Sequence, residues 1–267
     1  MNSTDDTATD AAGPAQTVKF LNLHFTTLSD DEILRKIRHL ADIDQFSYVI
    51  TPNVDHIVTL NRAPFREPTH GVQQAYADAT LHVCDSRILA KLARASRIAL
   101  PVFRGSGSNM TRLFLEHWLR PGDRVALVGG TPAQLQWLSS RWPEVQFLQH
   151  IPPMGVLNDS DAQGGIASFV ESASSNVILF ALGAPQSELV CGQIYRRGQA
   201  RGVALCIGAS IEFLSGAKPY APRWVHDHSL EWAFRLITEP RRLWRRYLVD
   251  GPRIFRIWWR DRRQSSN

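Results

Sequence analysis

The sequence predicts an α/β fold, a mainly parallel sheet with helices on both faces, extended at the C-terminus by a basic, aromatic, helical appendage. Three observations predict it. Six short apolar runs, at residues 46–51, 79–84, 124–130, 145–150, 176–183 and 202–208, are bounded by turn residues and separated by helical or loop segments, the alternation that builds parallel sheets. Charge divides the chain: from Lys218 to Asn267 twelve Lys or Arg face five Asp or Glu, a net of +7 in a chain of net +5, so the remaining body is −2. Five of the eight tryptophans, Trp224, Trp232, Trp244, Trp258 and Trp259, lie in that same segment. With 267 residues, 44% of them hydrophobic, one large domain plus an appendage is the expected organisation.

The elements follow in order. The opening MNSTDDTATDAAGPAQ is acidic and polar where a signal peptide is basic and then apolar, so residues 1–16 read as a disordered leader and the protein as cytoplasmic. VKFLNLHF (18–25) alternates as a short strand. Ser29, followed by Asp30, Asp31 and Glu32, opens a helix through Leu40, because a hydroxyl caps the free amides and carboxylates suit the positive end of the dipole. FSYVIT (46–51) is a buried strand running into Pro52-Asn53, with VDHIVTLNR helical behind it. ATLHVC (79–84) ends at Asp85, and SRILAKLARAS follows as a helix. RVALVGG (124–130) leads through Thr131-Pro132 into the helix AQLQWLSSRW, and VQFLQH, NVILFALG and GVALCIG complete the sheet. The expected domains are a Rossmann-like core over residues 17–216 and the appendage over 217–267. No apolar run approaches the roughly 20 residues of a transmembrane helix. Cys84, Cys191 and Cys206 lack metal-site spacing and read as buried, reduced thiols.

In open α/β sheets ligands bind beyond the carboxyl ends of the strands. Thr51, Asn53, Asp85, Gly129, Gly130, the loop from Gly183 to Glu188 and the loop from Gly208 to Glu212 should therefore meet along one edge. Taken singly, each is better explained as a turn former or a cap; the case for a site rests on their coincidence. In the tail, Ile254, Phe255, Ile257, Trp258 and Trp259 recur at near-helical spacing with Arg253, Arg256, Arg260 and Arg263 on the other side. A helix packing its aromatics on the domain fits this pattern as well as one lying in an anionic bilayer interface, where each basic residue contributes about 1 kcal/mol. Nucleic acid is the weaker alternative; it would show a steep salt dependence without preference for lipid.

The ordered motifs carry more than their separate signals. They are Thr51-Pro52-Asn53, Asp85, Arg104-Gly105-Ser106-Gly107, Leu127-Val128-Gly129-Gly130, Leu182-Gly183-Ala184-Pro185 with Glu188, Gly208 with Phe213 and Gly216, and Ala221-Pro222 with Leu230-Glu231-Trp232, Arg235-Leu236 and Glu239-Pro240-Arg241. In this order and spacing they resemble the WecG/TagA/CpsF glycosyltransferases of bacterial surface-polysaccharide assembly, from VKFLNL to Tyr247. The resemblance implies inverting transfer of a sugar from a UDP-sugar to a polyprenyl-diphosphate-linked saccharide at the cytoplasmic membrane face. It implies Asp85 as base, Thr51 and Asn53 in the pocket, and an appendage that meets the membrane and closes over the site.

The chemistry is consistent on its own terms. Inverting transfer needs a group to take the acceptor proton and positive charge or oriented amides on the departing diphosphate. Asp85 suits the first role. The turns Gly129-Gly130 and Gly183-Ala184 before helix N-termini, with Arg104, Arg235 and Arg241, suit the second without a metal or other cofactor. The DxD-like Asp42-Ile43-Asp44 falls on the wrong sheet edge and Asp159-Ser160-Asp161 in a polar loop; His226-Asp227-His228 lacks zinc spacing. Gly105-Ser106-Gly107 ends at Met110 where a dinucleotide fingerprint needs glycine. Departures from the family pattern gather in the expected donor pocket: Ser187 for glutamine, Glu212 for aspartate, Tyr220 for arginine with Arg223 nearby as a substitute, and Asn109 for an acidic residue. They point to a donor other than an acetamido-mannose type, such as a neutral hexose. A catalytically degenerate membrane scaffold of the same fold is the rival reading, and the sequence leaves room for a homo-oligomer.

Overall fold

A computed structural model describes residues 17–61, 68–219, 225 and 231–265; the leader, Tyr220, Arg223 and His226-Asp227-His228 lie outside the described residues. The first segment is an antiparallel hairpin, β1 (Thr17–Phe20) and β2 (Leu23–Thr26), where a single strand over 18–25 is expected. Leu21 and Asn22 both take positive φ, 50° and 65°, the signature of a two-residue turn whose twist matches the flanking strands. The alternation of the sequence runs through this turn, which hides it. Helix α1 (Asp30–Asp42) begins with a reciprocal cap: Glu32 N–H donates to Ser29 Oγ, and Ser29 N–H donates to the Glu32 carboxylate at 2.8 Å.

The core continues with β3 (Ser47–Ile50), α2 (Val54–Leu60), α3 (Pro68–Asp78), β4 (Leu81–His82), α4 (Arg87–Ala95) and α5 (Ser106–His117). After these come β5 (Arg124–Gly129), α6 (Pro132–Arg141), β6 (Gln146–His150), α7 (Ser160–Ala173), β7 (Val177–Ala181), α8 (Gln186–Arg197), β8 (Val203–Cys206) and the short α9 (Ser210–Leu214). The strands β3 to β8 form one six-stranded parallel sheet in the order β4-β3-β8-β7-β5-β6. Alternate residues of the central strands enter two separate cores. Tyr48, Ile50, Val128, Phe180 and Cys206 pack with residues of α2, α3, α4, α7 and α8, whereas Val49, Leu127, Leu179 and Leu205 pack with α1, α5 and α6. The sheet is thus covered on both faces, as the sequence predicts. The order of strand addition reverses between β5, which leads outward to β6, and β7, which leads back to β8; a ligand crevice is expected at such a reversal.

Helices α3 and α8 pack closely enough that Gly192 matters. A Cβ placed there would stand 2.6 Å from Ala75 Cβ and 2.9 Å from Ala75 Cα.

Beyond the core lie α10 (Glu231–Thr238), α11 (Pro240–Trp244), one wide turn (Arg245–Asp250) and α12 (Arg253–Ser265). Packing on the domain, one of the two readings of the tail pattern, holds for part of α12. Ile254 is 1% exposed and Ile257 and Trp258 pack with it against the domain, with Trp258 Nε1–H donating to Ser96 Oγ at 2.8 Å. Phe255 and Trp259 remain 56% and 54% exposed, among the exposed Arg253, Arg256, Arg260 and Arg263. No described helix is long and apolar enough to cross a membrane.

Candidate active site

A polar cleft of about 540 Å³ opens along the carboxyl edge of the sheet. Thr51 and Asn53 follow β3, Asp85 follows β4, Gly129 and Gly130 end β5, and Gly183, Ser187 and Glu188 follow β7; all line it, as do Glu212 and Arg235. Sequence-distant residues meet here because parallel strands all end on the same side. Asp85 N–H donates to Pro52 O at 3.1 Å, which carries the β3–β4 pairing one step past the strands and sets Asp85 beside Asn53.

The cap of α4 is Ser86, whose Oγ accepts from Leu89 N–H, so Asp85 is not committed to capping its own helix. Its Oδ1 instead accepts from Gly107 N–H in the first turn of α5 at 2.9 Å. The approach is close: a Cβ at Gly107 would press on Thr51 Oγ1 at 3.1 Å. Gly129 and Gly130 have φ of 87° and 70°, and a Cβ on Gly129 would meet Leu182 at 2.8 Å, so the β5 turn is held tight against the β7 loop.

Asn53 caps α2 by accepting from Asp55 N–H, and His56 Nδ1 accepts from Asn53 N–H at 3.1 Å. That bond leaves the neutral ring its proton on Nε2, which faces Glu188 Oε1 at 3.4 Å. Glu188 is 3% exposed and its Oε2 has no hydrogen-bond partner among the described residues. Ser187 is turned inward, donating to Leu182 O at 2.9 Å. The thiols of Cys84, Cys191 and Cys206 are free and buried, and burial pushes their pKa values up, that of Cys84 to about 12; none is poised as a thiolate nucleophile.

Three cations line the cleft and tie the C-terminal helices to it. Lys218 Nζ bridges Glu212 (2.7 Å) and Glu239 (3.4 Å). The Arg235 guanidinium stands 5.0 Å from the centre of the Phe213 ring. Arg246 pairs with Asp55 at 3.2 Å, while its Nε is buried without a partner among the described residues. Sequence reasoning missed His56, Lys218 and Arg246. The N-x-x-H spacing of a cap was the available signal for His56; nothing distinguishes Arg246 from the arginines around it.

Three of the expected residues stand outside the lining. Arg104 is exposed, in a turn fastened to α1 through its own N–H and Asp30 Oδ2. Arg241 is exposed in the first turn of α11, because Pro240 starts a new helix that carries it away. Pro185 only introduces α8, although Ala184 and Gln186 on either side face the cleft. The DxD-like carboxylates are used elsewhere: Asp42 pairs with Arg38 and Arg120, and Asp159 caps α7. Among the described residues no cluster of three or more His, Cys, Asp or Glu is disposed to hold a metal.

A second cavity of about 460 Å³ adjoins the first and is mostly apolar, walled by Val54, Ile88, Trp232, Tyr247, Ile254 and Phe255. Asn53, Asp85, Arg235 and Arg246 line both.

The chain is thus a doubly wound α/β domain with a polar cleft at its strand ends, adjoining an apolar cavity under a helical extension. The model of the glycosyl transferase WecG/TagA/CpsF family matches residues 18–267, and the chain belongs to that family. It is therefore a glycosyltransferase, acting between a sugar donor and a glycan acceptor.

Proposed function

We propose that the enzyme is an inverting glycosyltransferase that moves a sugar from a UDP-sugar to a polyprenyl-diphosphate-linked saccharide at the cytoplasmic membrane face, in surface-polysaccharide or exopolysaccharide assembly. The observation that carries this reading is the position of Asp85 on the wall shared by the polar cleft and the apolar cavity. The donor lies in the cleft, and the acceptor approaches from the cavity with its hydroxyl at Asp85. Asp85 takes the proton as the new glycosidic bond forms, while UDP leaves from the opposite face of the sugar. The Gly107 amide, donating to Asp85 Oδ1, orients the carboxylate.

Charge developing on the leaving diphosphate is met by Lys218, Arg235 and Arg246, of which Arg246 has an unused Nε. These cations support a metal-independent reaction. The inward Ser187 leaves a smaller polar demand at the donor than a longer amide would, which favours a neutral hexose.

Residues 217–267 are the membrane-facing appendage of this reading and residues 17–216 its catalytic core. Trp232, Ile237, Trp244, Leu248, Val249, Phe255 and Trp259 are exposed among arginines, as suits peripheral binding to an anionic surface.

The test is UDP release by the full-length protein with a panel of UDP-sugars and a polyprenyl-diphosphate-linked monosaccharide, with Asp85→Asn alongside. Release that needs one donor and the lipid acceptor, and is lost in the variant, is the expected result. Silence across the panel, with no UDP-dependent rise in melting temperature, would favour the scaffold.

A further inference from the structure

Several arginines of the core are paired with carboxylates. Arg112 pairs with Glu116, Arg120 with Asp42, Arg196 with Asp78 and Arg197 with Glu171. Helix α4 concentrates cations on one side. From Ser86 to Leu115 the chain has six Lys or Arg and no Asp or Glu, so in a body of net −2 this stretch is +6 and the remainder −8. Arg87, Lys91 and Arg94 recur at i, i+4 and i+7, all exposed, while Leu89, Leu92 and Ala93 on the opposite side enter the core. Such spacing sets the three cations in one stripe, and the exposed Arg97 follows directly. Lys91, Arg94 and Arg97 make no ion pair among the described residues.

This stripe runs beside α12. At its start Arg87 and Ile88 share the apolar cavity with Ile254 and Phe255, and at its end Ser96 accepts the Trp258 hydrogen bond. The first turns of α12 therefore lie against both the start and the end of α4. One presents Lys91 and Arg94; the other presents Phe255 and Trp259 with Arg256 and Arg260.

We propose that α4 of the catalytic core is the second half of the membrane-docking surface, its cationic stripe seating on anionic phospholipid headgroups beside the outward face of α12. The proposal rests on the membrane reading of the C-terminal helices and goes beyond it by assigning part of the surface to the core. A bilayer is favoured over nucleic acid because the exposed apolar side chains of the neighbouring segment include Leu248, Val249 and Ile237, which offer nothing to a base stack but insert among acyl chains. With both helices on the surface, the apolar cavity between them faces the lipid, and an acceptor tail passes into it without crossing water.

The experiment is flotation of the full-length protein with vesicles of equal parts phosphatidylglycerol and phosphatidylcholine, and with phosphatidylcholine alone. Lys91→Gln/Arg94→Gln is compared with Phe255→Ser/Trp259→Ser and wild type. Two cations near an anionic leaflet correspond to roughly a 30-fold change in partition, so the α4 variant should bind the anionic vesicles about 30-fold more weakly. Its melting temperature and its turnover of a detergent-soluble short-chain acceptor should remain at wild-type level. Unchanged partition of the α4 variant, while Phe255→Ser/Trp259→Ser loses binding, would overturn the assignment of α4 and leave the reading of the appendage standing. Failure of wild type to float, or a preference for a single-stranded oligonucleotide over vesicles, would overturn both. Turnover of the soluble acceptor by wild type reports separately on the catalytic reading.

Discussion

Gly192 of α8 and Gly165 of α7 both sit inside helices, and replacing either by alanine makes the same chemical change. Helix propensity alone predicts a gain of about 1 kcal/mol at each. The surroundings decide otherwise for one of them. At Gly165 an added Cβ meets nothing within 4 Å, so the gain is realised. At Gly192 it would stand 2.6 Å from Ala75 Cβ and 2.9 Å from Ala75 Cα, about 1 Å closer than a carbon contact allows. The obstacle includes the α3 backbone, so relief requires the two helices to separate. Overpacking of this kind costs about 1–3 kcal/mol, and backbone contact places Gly192→Ala toward the upper end, a net loss of about 2 kcal/mol. For a domain of this size 1 kcal/mol shifts the melting temperature by about 2–4 °C. Gly165→Ala should thus melt about 2–4 °C above wild type and Gly192→Ala about 4–8 °C below it, by differential scanning calorimetry. A Gly192→Ala protein as stable as Gly165→Ala would refute the claim that close α3–α8 contact, rather than propensity, governs the position.

Other outcomes follow from particular contacts. Asp85→Asn keeps an oxygen for the Gly107 amide and should melt within about 0.5 kcal/mol of wild type, whereas Asp85→Ala strands that amide at a cost of about 1–3 kcal/mol; both should lose turnover by roughly 10²–10⁴-fold, and equal melting of the two variants would contradict the anchoring role. Burial holds the His82 pKa low, against the bond from its ring to Tyr76 O at 2.6 Å. The unfolded chain takes up a proton at that position below about pH 6.5, so this contribution to stability is complete above that pH and shrinks as the pH falls through it. Melting curves between pH 7.5 and 5.5, conditions on the order of the imidazole range, should fall less steeply for His82→Gln than for wild type, and parallel curves would remove His82 as the cause. Asp123 holds the buried Arg38 guanidinium at 2.7 Å; Asp123→Ala leaves it Asp42 and the Trp118 carbonyl and should cost about 3 kcal/mol in urea unfolding, with an unchanged midpoint counting against the buried pair.

The sheet was legible because strand-ending residues are chemically distinctive. Thr51, Asn53, Asp85, Gly129 and Gly183 each follow an apolar run, and parallel pairing necessarily gathers them on one edge. What stayed hidden depends on neighbours that sequence does not name. Periodicity groups all five apolar residues of α12 together, yet only Ile254, Ile257 and Trp258 find the core. Whether a given side chain turns to solvent is set by where α4 and α2 lie. The arginines show the same limit: Arg104 and Arg241 carry the right charge but sit on the outside of turns, while Arg246 reaches the cleft because a wide helical turn folds it back toward Asp55. The hairpin at Leu21-Asn22 was missed for a local reason, since a two-residue turn can preserve alternation across it.

Strand β8, the last to be synthesised, lies between β3 and β7 in the finished sheet. Until it arrives, the emerging chain holds a β3–β4 pair and a β7–β5–β6 triplet that share no strand–strand hydrogen bonds, and both expose the unpaired edges that invite aggregation. The nascent enzyme therefore cannot assemble its cleft progressively. Thr51 and Asp85 on one set of strands are not held in one sheet with Gly129 and Gly183 on the other until Val203–Cys206 slides between them as a keystone. On the ribosome, catalytic competence should appear abruptly after that strand clears the exit tunnel, and a chain released before it should be a substrate for chaperones rather than a partial transferase.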